Sequence, residues 1–179
     1  MHIDTKQTLE RFEEIVSLYR QQLDRYEMDQ LTRTPEVGEW SLGQVYVHLI
    51  QTTMRMQLRQ IEACRENGGP ASGTVGEKTE PGKAVFDLGA FPPIRIRVAA
   101  SDAYTPRQPE SKEQLVDGLN EVVRRMREVE PSLEGIPAEN TAPHPRLGKL
   151  NAKEWFALAE MHFRHHLRQK ERLDALLFV

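Results

Sequence analysis

Two histidines, His162 and His166, stand four residues apart in the run Glu160-Met161-His162-Phe163-Arg164-His165-His166. In a helix that spacing stacks both rings on one face, where they can grip one ion. Trp155, Ala159, His162, His166, Gln169, Leu173 and Leu176 recur at intervals of three or four, so both rings interrupt an apolar seam. His165 falls about 100° from His166 around the axis and is expected on the flank. A third histidine, His48, lies between Val45 and Thr52 at the edge of another apolar stripe.

A lone inward histidine is usually a hydrogen-bonded core residue, and such pairs also occur on solvated faces. The pair gains weight only if a third ligand faces it. Polar rings on a buried seam without a metal would need hydrogen-bond partners, and leaving them unpaired is costly. Neutral imidazole suits zinc, nickel, copper or iron and not magnesium or calcium. Three protein ligands leave coordination positions open, which marks a catalytic type of site and not a closed structural one. Three neutral ligands also leave the full charge of the dication in place. Such an ion lowers the pKa of a bound water or deprotonates a coordinating thiol, so both hydrolysis and thiol transfer are open.

Other reactive side chains fit less well. Cys64 is 16 residues beyond His48, or roughly 24 Å along a helix, and is expected to be an ordinary buried thiol. His144, between Pro143 and Pro145, reads as a loop residue packing or capping against the last helix. Arg95 and Arg97 could meet an anionic group, but alternating arginines are commoner on an exposed strand edge. The chain has no Gly-rich phosphate loop, no Ser-His-Asp order and no CxxC.

Four helical segments must position the histidines. The first runs from about Asp4, a plausible N-cap, to Tyr26, with Leu9, Phe12, Val16, Tyr19 and Leu23 on one stripe. The second opens at Ser41, whose partner Gln44 makes a capping box. It carries Val45, Leu49, Met56 and Ile61 and stops at Gly68-Gly69-Pro70. The third opens at Ser111 with Gln114 and ends at Pro131; the fourth opens near Asn151 with Glu154 and continues to the C-terminus. Between the second and third lies a Gly- and Pro-rich stretch, 68–110, within which Ile94 to Val98 alternates like a short strand. The connection 132–150 is also long. The expected architecture is an all-α four-helix bundle with long crossover loops, in a single domain over residues 1–179.

Bulk properties agree. With 179 residues and 39% hydrophobic content there is material for one core. A net charge of −3 from 24 basic and 27 acidic residues gives no basic face for nucleic acid. A single cysteine, no N-terminal apolar signal core and no membrane-length apolar run point to the cytoplasm.

The sequence resembles the DinB-like superfamily, and its YfiT-like branch in particular, in two blocks. Trp40-Ser41-Leu42-Gly43-Gln44-Val45-Tyr46-Val47-His48-Leu49 is similar to the family's opening of helix two. The second block is His144-Pro145-Arg146-Leu147-Gly148-Lys149-Leu150 followed by Trp155, His162, His166 and Gln169. The resemblance implies a four-helix bundle with a three-histidine metal site, usually nickel or zinc, and His48, His162 and His166 match the family ligands. It further implies a metal-dependent enzyme that activates a thiol, a bacillithiol-type S-transferase with a low-molecular-weight thiol cosubstrate and a small-molecule substrate. A hydrolase using water activated by the ion, or a metal-stapled stress-response module without turnover, are the alternatives. Family members often dimerise, so a homodimer is expected.

Overall fold

Each long helix begins where a short polar side chain meets the first free backbone amides. The computed structural model describes residues 3–36, 38–66, 77–93 and 105–177. Helix α1 spans Thr5–Leu23, and Asp4 caps it by accepting from the Gln7 amide at 3.0 Å. A short α2, Met28–Thr32, follows. Ser41 starts α3, Leu42–Thr52, with a reciprocal box: Ser41 Oγ accepts from the Gln44 amide at 3.1 Å and Gln44 Oε1 accepts from the Ser41 amide at 2.9 Å. A π-helical turn, Thr53–Gln57, joins α3 to α4, Leu58–Glu66. After α5, Glu80–Leu88, comes α6, Lys112–Val129, and a 3-10 turn, Glu130–Gly135. A two-stranded antiparallel hairpin, β1 Thr141–His144 and β2 Gly148–Asn151, leads into α7, Ala152–Leu177. Asn151 and Glu154 cap α7 reciprocally, at 2.9 and 3.0 Å.

The expected all-α bundle is present: α1, the α3–α4 unit, α6 and α7 enclose one apolar core. Pairings between them fix their directions. Phe12 meets Phe163, and Tyr26 bonds Lys170 and Asp174, so α1 and α7 run the same way. His48 faces His162 while Cys64 reaches Leu150, so α3–α4 runs against α7. Arg127 bonds Glu13 and Thr5 bonds Glu130, so α6 runs against α1. The order is therefore up-down-down-up. Only the connection between α4 and α6 must cross over. The second long connection joins antiparallel helices that stand across the bundle from each other, α6 packing on α1 and α3 while α7 packs on α1 and α3–α4, and its length includes the 3-10 turn and the hairpin.

The structure refines several expectations. At the start of α6, where Ser111 and Gln114 are spaced for a second capping box, Ser111 accepts from the Gln114 amide at 3.1 Å, but the Gln114 side chain accepts from the Glu110 amide at 2.8 Å and not from Ser111. The second helix is not a uniform α-helix. Its π-helical turn buries Thr53 and Gln57, bonded to each other at 3.0 Å, while Met56 is only partly buried. Helix α5 lies inside what reads in the sequence as featureless connection, started by Thr79 and stopped by Gly89 in the left-handed region at φ 60°. The Gly68-Gly69-Pro70 stop and the strand-like run from Ile94 to Val98, with Arg95 and Arg97, lie outside the described residues.

Ser41 does more than cap. Its hydroxyl also donates to Gln108 Oε1 at 2.8 Å, and Gln44 Nε2 donates to the Pro106 carbonyl. The start of α3 thereby holds the segment that leads into α6. Gly43 makes this contact possible: a Cβ there would stand 2.6 Å from Pro109 Cγ and 2.8 Å from the Leu31 carbonyl oxygen. Replacing Ser41 by alanine is expected to lower the free energy of unfolding by about 1 kcal/mol or somewhat more. Urea denaturation checks this, and an unchanged midpoint would contradict the assigned cap.

Candidate metal centre

Helix α3 carries His48 one turn above the π-helical turn, and α7 carries His162 and His166 near its middle. The antiparallel packing of these helices brings all three rings together. His48 Nε2 lies 3.0 Å from His162 Nε2, and His166 Nε2 lies 3.1 Å from it. One nitrogen from each ring falls within 4.8 Å of the others. Ligand nitrogens bound at about 2.1 Å around a tetrahedral ion are separated by about 3.4 Å, so the observed spacing is close to a ligand set. No carboxylate or thiol joins this group among the described residues. All three histidines are partly buried.

The donor chemistry fits a cation. His162 Nε2 faces two other ring nitrogens, yet a neutral ring nitrogen can be a donor to one or an acceptor, not both. His162 Nδ1 is buried with no hydrogen-bond partner. Adding a proton does not resolve the arrangement. Burial, then the neighbouring His166, push His48 down to about 3, and burial, opposed by the bond to Gln169 Oε1, brings His166 to about 4. His162 is held well below its usual value by burial first and the surrounding imidazoles second. The trio is thus neutral at pH 7, with lone pairs available to one shared ion, which would remove the conflict.

Outer contacts orient the rings. His166 Nδ1 meets Gln169 Oε1 at 2.8 Å, and His48 Nδ1 meets Thr52 Oγ1 at 3.4 Å. Trp40 lies against His48 with ring centroids 4.8 Å apart. Phe91, just beyond α5, lies 6.4 Å from His162 and 5.3 Å from His165. Aromatic rings from two separate segments thus lie beside the trio, one next to His48 and one near His162. Trp40 is visible in the sequence block; Phe91 sits on the long connection, where no periodicity marks it.

His165 takes the flank, as its angle predicts, and is not in the trio. Cys64 is buried 3.7 Å from the Leu150 carbonyl, and burial pushes its thiol up to about 11. His144 is not a loop residue. It ends β1, its Nδ1 accepts from the Arg146 and Leu147 amides at 3.1 Å, and its ring lies 5.3 Å from Trp155. It therefore caps the hairpin turn and packs on α7 without capping it.

A family model described as the DinB superfamily matches residues 11–169, and the chain belongs to that superfamily. The match spans both helices that carry the histidine trio. No curated protein matches the sequence. No helix among the described residues is long and apolar enough to cross a membrane.

The depressed histidines set a pH dependence. In the unfolded chain they take up protons near pH 6.5, whereas in the folded chain His48 and His166 stay neutral down to about 3 and about 4, and His162 is held well below its usual value. Groups with lowered folded pKa and a charged acid form cost stability as pH falls through the unfolded value. The metal-free protein is therefore expected to lose about 1.4 kcal/mol per pH unit for each of His48 and His166 between roughly pH 6 and pH 4, with His162 acting in the same direction. Chemical denaturation of chelator-treated protein across that range checks it. A flat profile would contradict the neutral buried trio.

Proposed function

We propose that the chain is a metalloenzyme in which His48, His162 and His166 hold one divalent transition ion, nickel or zinc, for the activation of a low-molecular-weight thiol. The observation that carries this reading is the convergence of three neutral ring nitrogens with no carboxylate among them. An ion so held keeps its full dication charge and lowers the pKa of a thiol that coordinates it. The protein's own cysteine does not supply that thiol, because Cys64 is buried and its pKa is raised. A cosubstrate thiol fits this gap. In the transfer the thiol loses its proton to solvent and its sulfur bonds to the electrophilic carbon. The leaving group departs with the bonding electron pair.

The chain's side chains would divide the work. The three imidazoles fix the ion's place, Thr52 and Gln169 orient two of the rings, and Trp40 and Phe91 flank them. Residues His162 and His166 hold the ion from one rigid helix, and His48 closes the set across the helix interface.

Substitution of the histidines tests the ligand set. His48→Ala, His162→Ala and His166→Ala are each expected to lose most bound metal, since two imidazoles hold an ion poorly against water. His165→Ala is expected to retain it. Elemental analysis of protein purified without a histidine tag reads this directly. Metal retained in His166→Ala but lost in His165→Ala would mean the wrong pair was assigned.

Activity is a separate test. Conjugation of a small thiol to an electrophile such as a haloarene should proceed with metal-loaded protein and fall to background with chelator. Ester or amide hydrolysis under the same metal dependence, without conjugation, would replace thiol transfer by hydrolysis. Metal binding with neither activity would leave the ion as a staple of the bundle.

A further inference from the structure

We propose that Gln169 is a positioning residue of this centre, which locks His166 in the tautomer that points its Nε2 lone pair at the ion. The inference rests on the metal reading above. Gln169 Oε1 lies 2.8 Å from His166 Nδ1, and a carbonyl oxygen can only accept. His166 Nδ1 must therefore carry the hydrogen, and in a neutral ring that leaves the lone pair on Nε2. That nitrogen is the one directed at the trio, 3.1 Å from His162 Nε2.

Support for the three rings is uneven. His48 has only the longer 3.4 Å contact to Thr52 Oγ1, and His162 Nδ1 is buried without a partner. Gln169 thus makes the short outer contact of the set. It comes from the same helix as His166, three residues on, so α7 supplies ligand, orientation and support in one rigid piece. The side chain's chemistry is also specific. A carboxylate at this position would accept the same hydrogen bond but would feed negative charge into the ring. A neutral amide orients the imidazole and leaves the ion's charge undiminished, which suits a centre that must favour an anionic ligand.

The test uses the full chain without a tag, stripped of metal and titrated with zinc against a chromophoric chelator. Gln169→Leu is expected to weaken zinc binding about 10- to 100-fold and to alter the visible spectrum of the cobalt-substituted protein. Gln169→Glu is expected to restore the affinity to the wild-type level or above, because the acceptor returns. Thr52→Val is expected to have a smaller effect than Gln169→Leu. Nitrogen-15 spectra of the wild-type chain should show His166 protonated at Nδ1, a readout independent of any variant's folding. Zinc binding by Gln169→Leu equal to wild type, with an unchanged cobalt spectrum, would overturn the role of Gln169 alone. So would a wild-type His166 protonated at Nε2. A wild-type chain that binds no zinc or cobalt would instead overturn the metal reading itself.

Discussion

Two imidazole nitrogens each about 3 Å from a third are unstable company unless something positive lies among them, and the rest of the bundle is arranged to keep them there. The rings come from two antiparallel helices, so their meeting depends on axial register. Two buried tyrosines fix it. Tyr46, two residues before His48, donates to the Tyr19 carbonyl at 2.8 Å. Tyr19 in turn donates to the Phe163 carbonyl, next to His162, at 3.0 Å. Helix α1 thereby ties α3 to α7 although it contributes no ligand. Burial raises both phenols far above their usual range, so the hydroxyls stay donors at any ordinary pH.

The same region accepts polar and charged groups that a plain apolar core would exclude. Lys170 is almost fully buried, yet its ammonium bonds Tyr26 at 2.9 Å and Asp174 at 2.6 Å, and Tyr26 donates to the other oxygen of Asp174. A buried charge is tolerated only when its partners are complete, and here both are in place. This cluster joins α7 to the end of α1 one turn beyond His166. Further along, the hairpin is tied to α7 by the bond from Trp155 Nε1 to the Ala142 carbonyl at 3.2 Å. Helix α7 is thus anchored on both sides of its two histidines.

How much of this was legible in the sequence follows from the range of each signal. Caps and periodic stripes are local, so Asp4, Ser41, Ser111 and Asn151 mark the long helices correctly, and the seam through His162 and His166 gives their common face. His48 was readable as a candidate from its stripe and from the family block, but the meeting itself depends on helix packing. Signals that were present but short went unread. Thr79, Pro81 and Gly89 bracket α5, and Gly148, at φ 81°, permits the tight hairpin beside the Glu77 carbonyl. Phe91 had no local signal at all. Its place near His162 comes from the path of the chain after α5, where Arg164 donates to the Gly89 carbonyl at 2.6 Å.

The topology explains why the site tolerates such a long connection between α4 and α6. Helices α3 and α6 run in the same direction and approach closely where Gly118 meets Ile50, since a Cβ at Gly118 would lie 2.8 Å from Ile50 Cδ1. Parallel neighbours cannot be joined by a tight turn, so chain must travel the length of the bundle. Phe91, on that connection, stands with its ring centroid 6.4 Å from that of His162. Helices α3 and α7 need no help from this segment to bring the three ring nitrogens together; the trio is complete without it. A division follows between a fixed ligand set on packed helices and a surrounding wall drawn partly from the crossover. Changes in the crossover can alter what approaches the centre while His48, His162 and His166 keep their places, because loops carry variable contacts over a rigid scaffold.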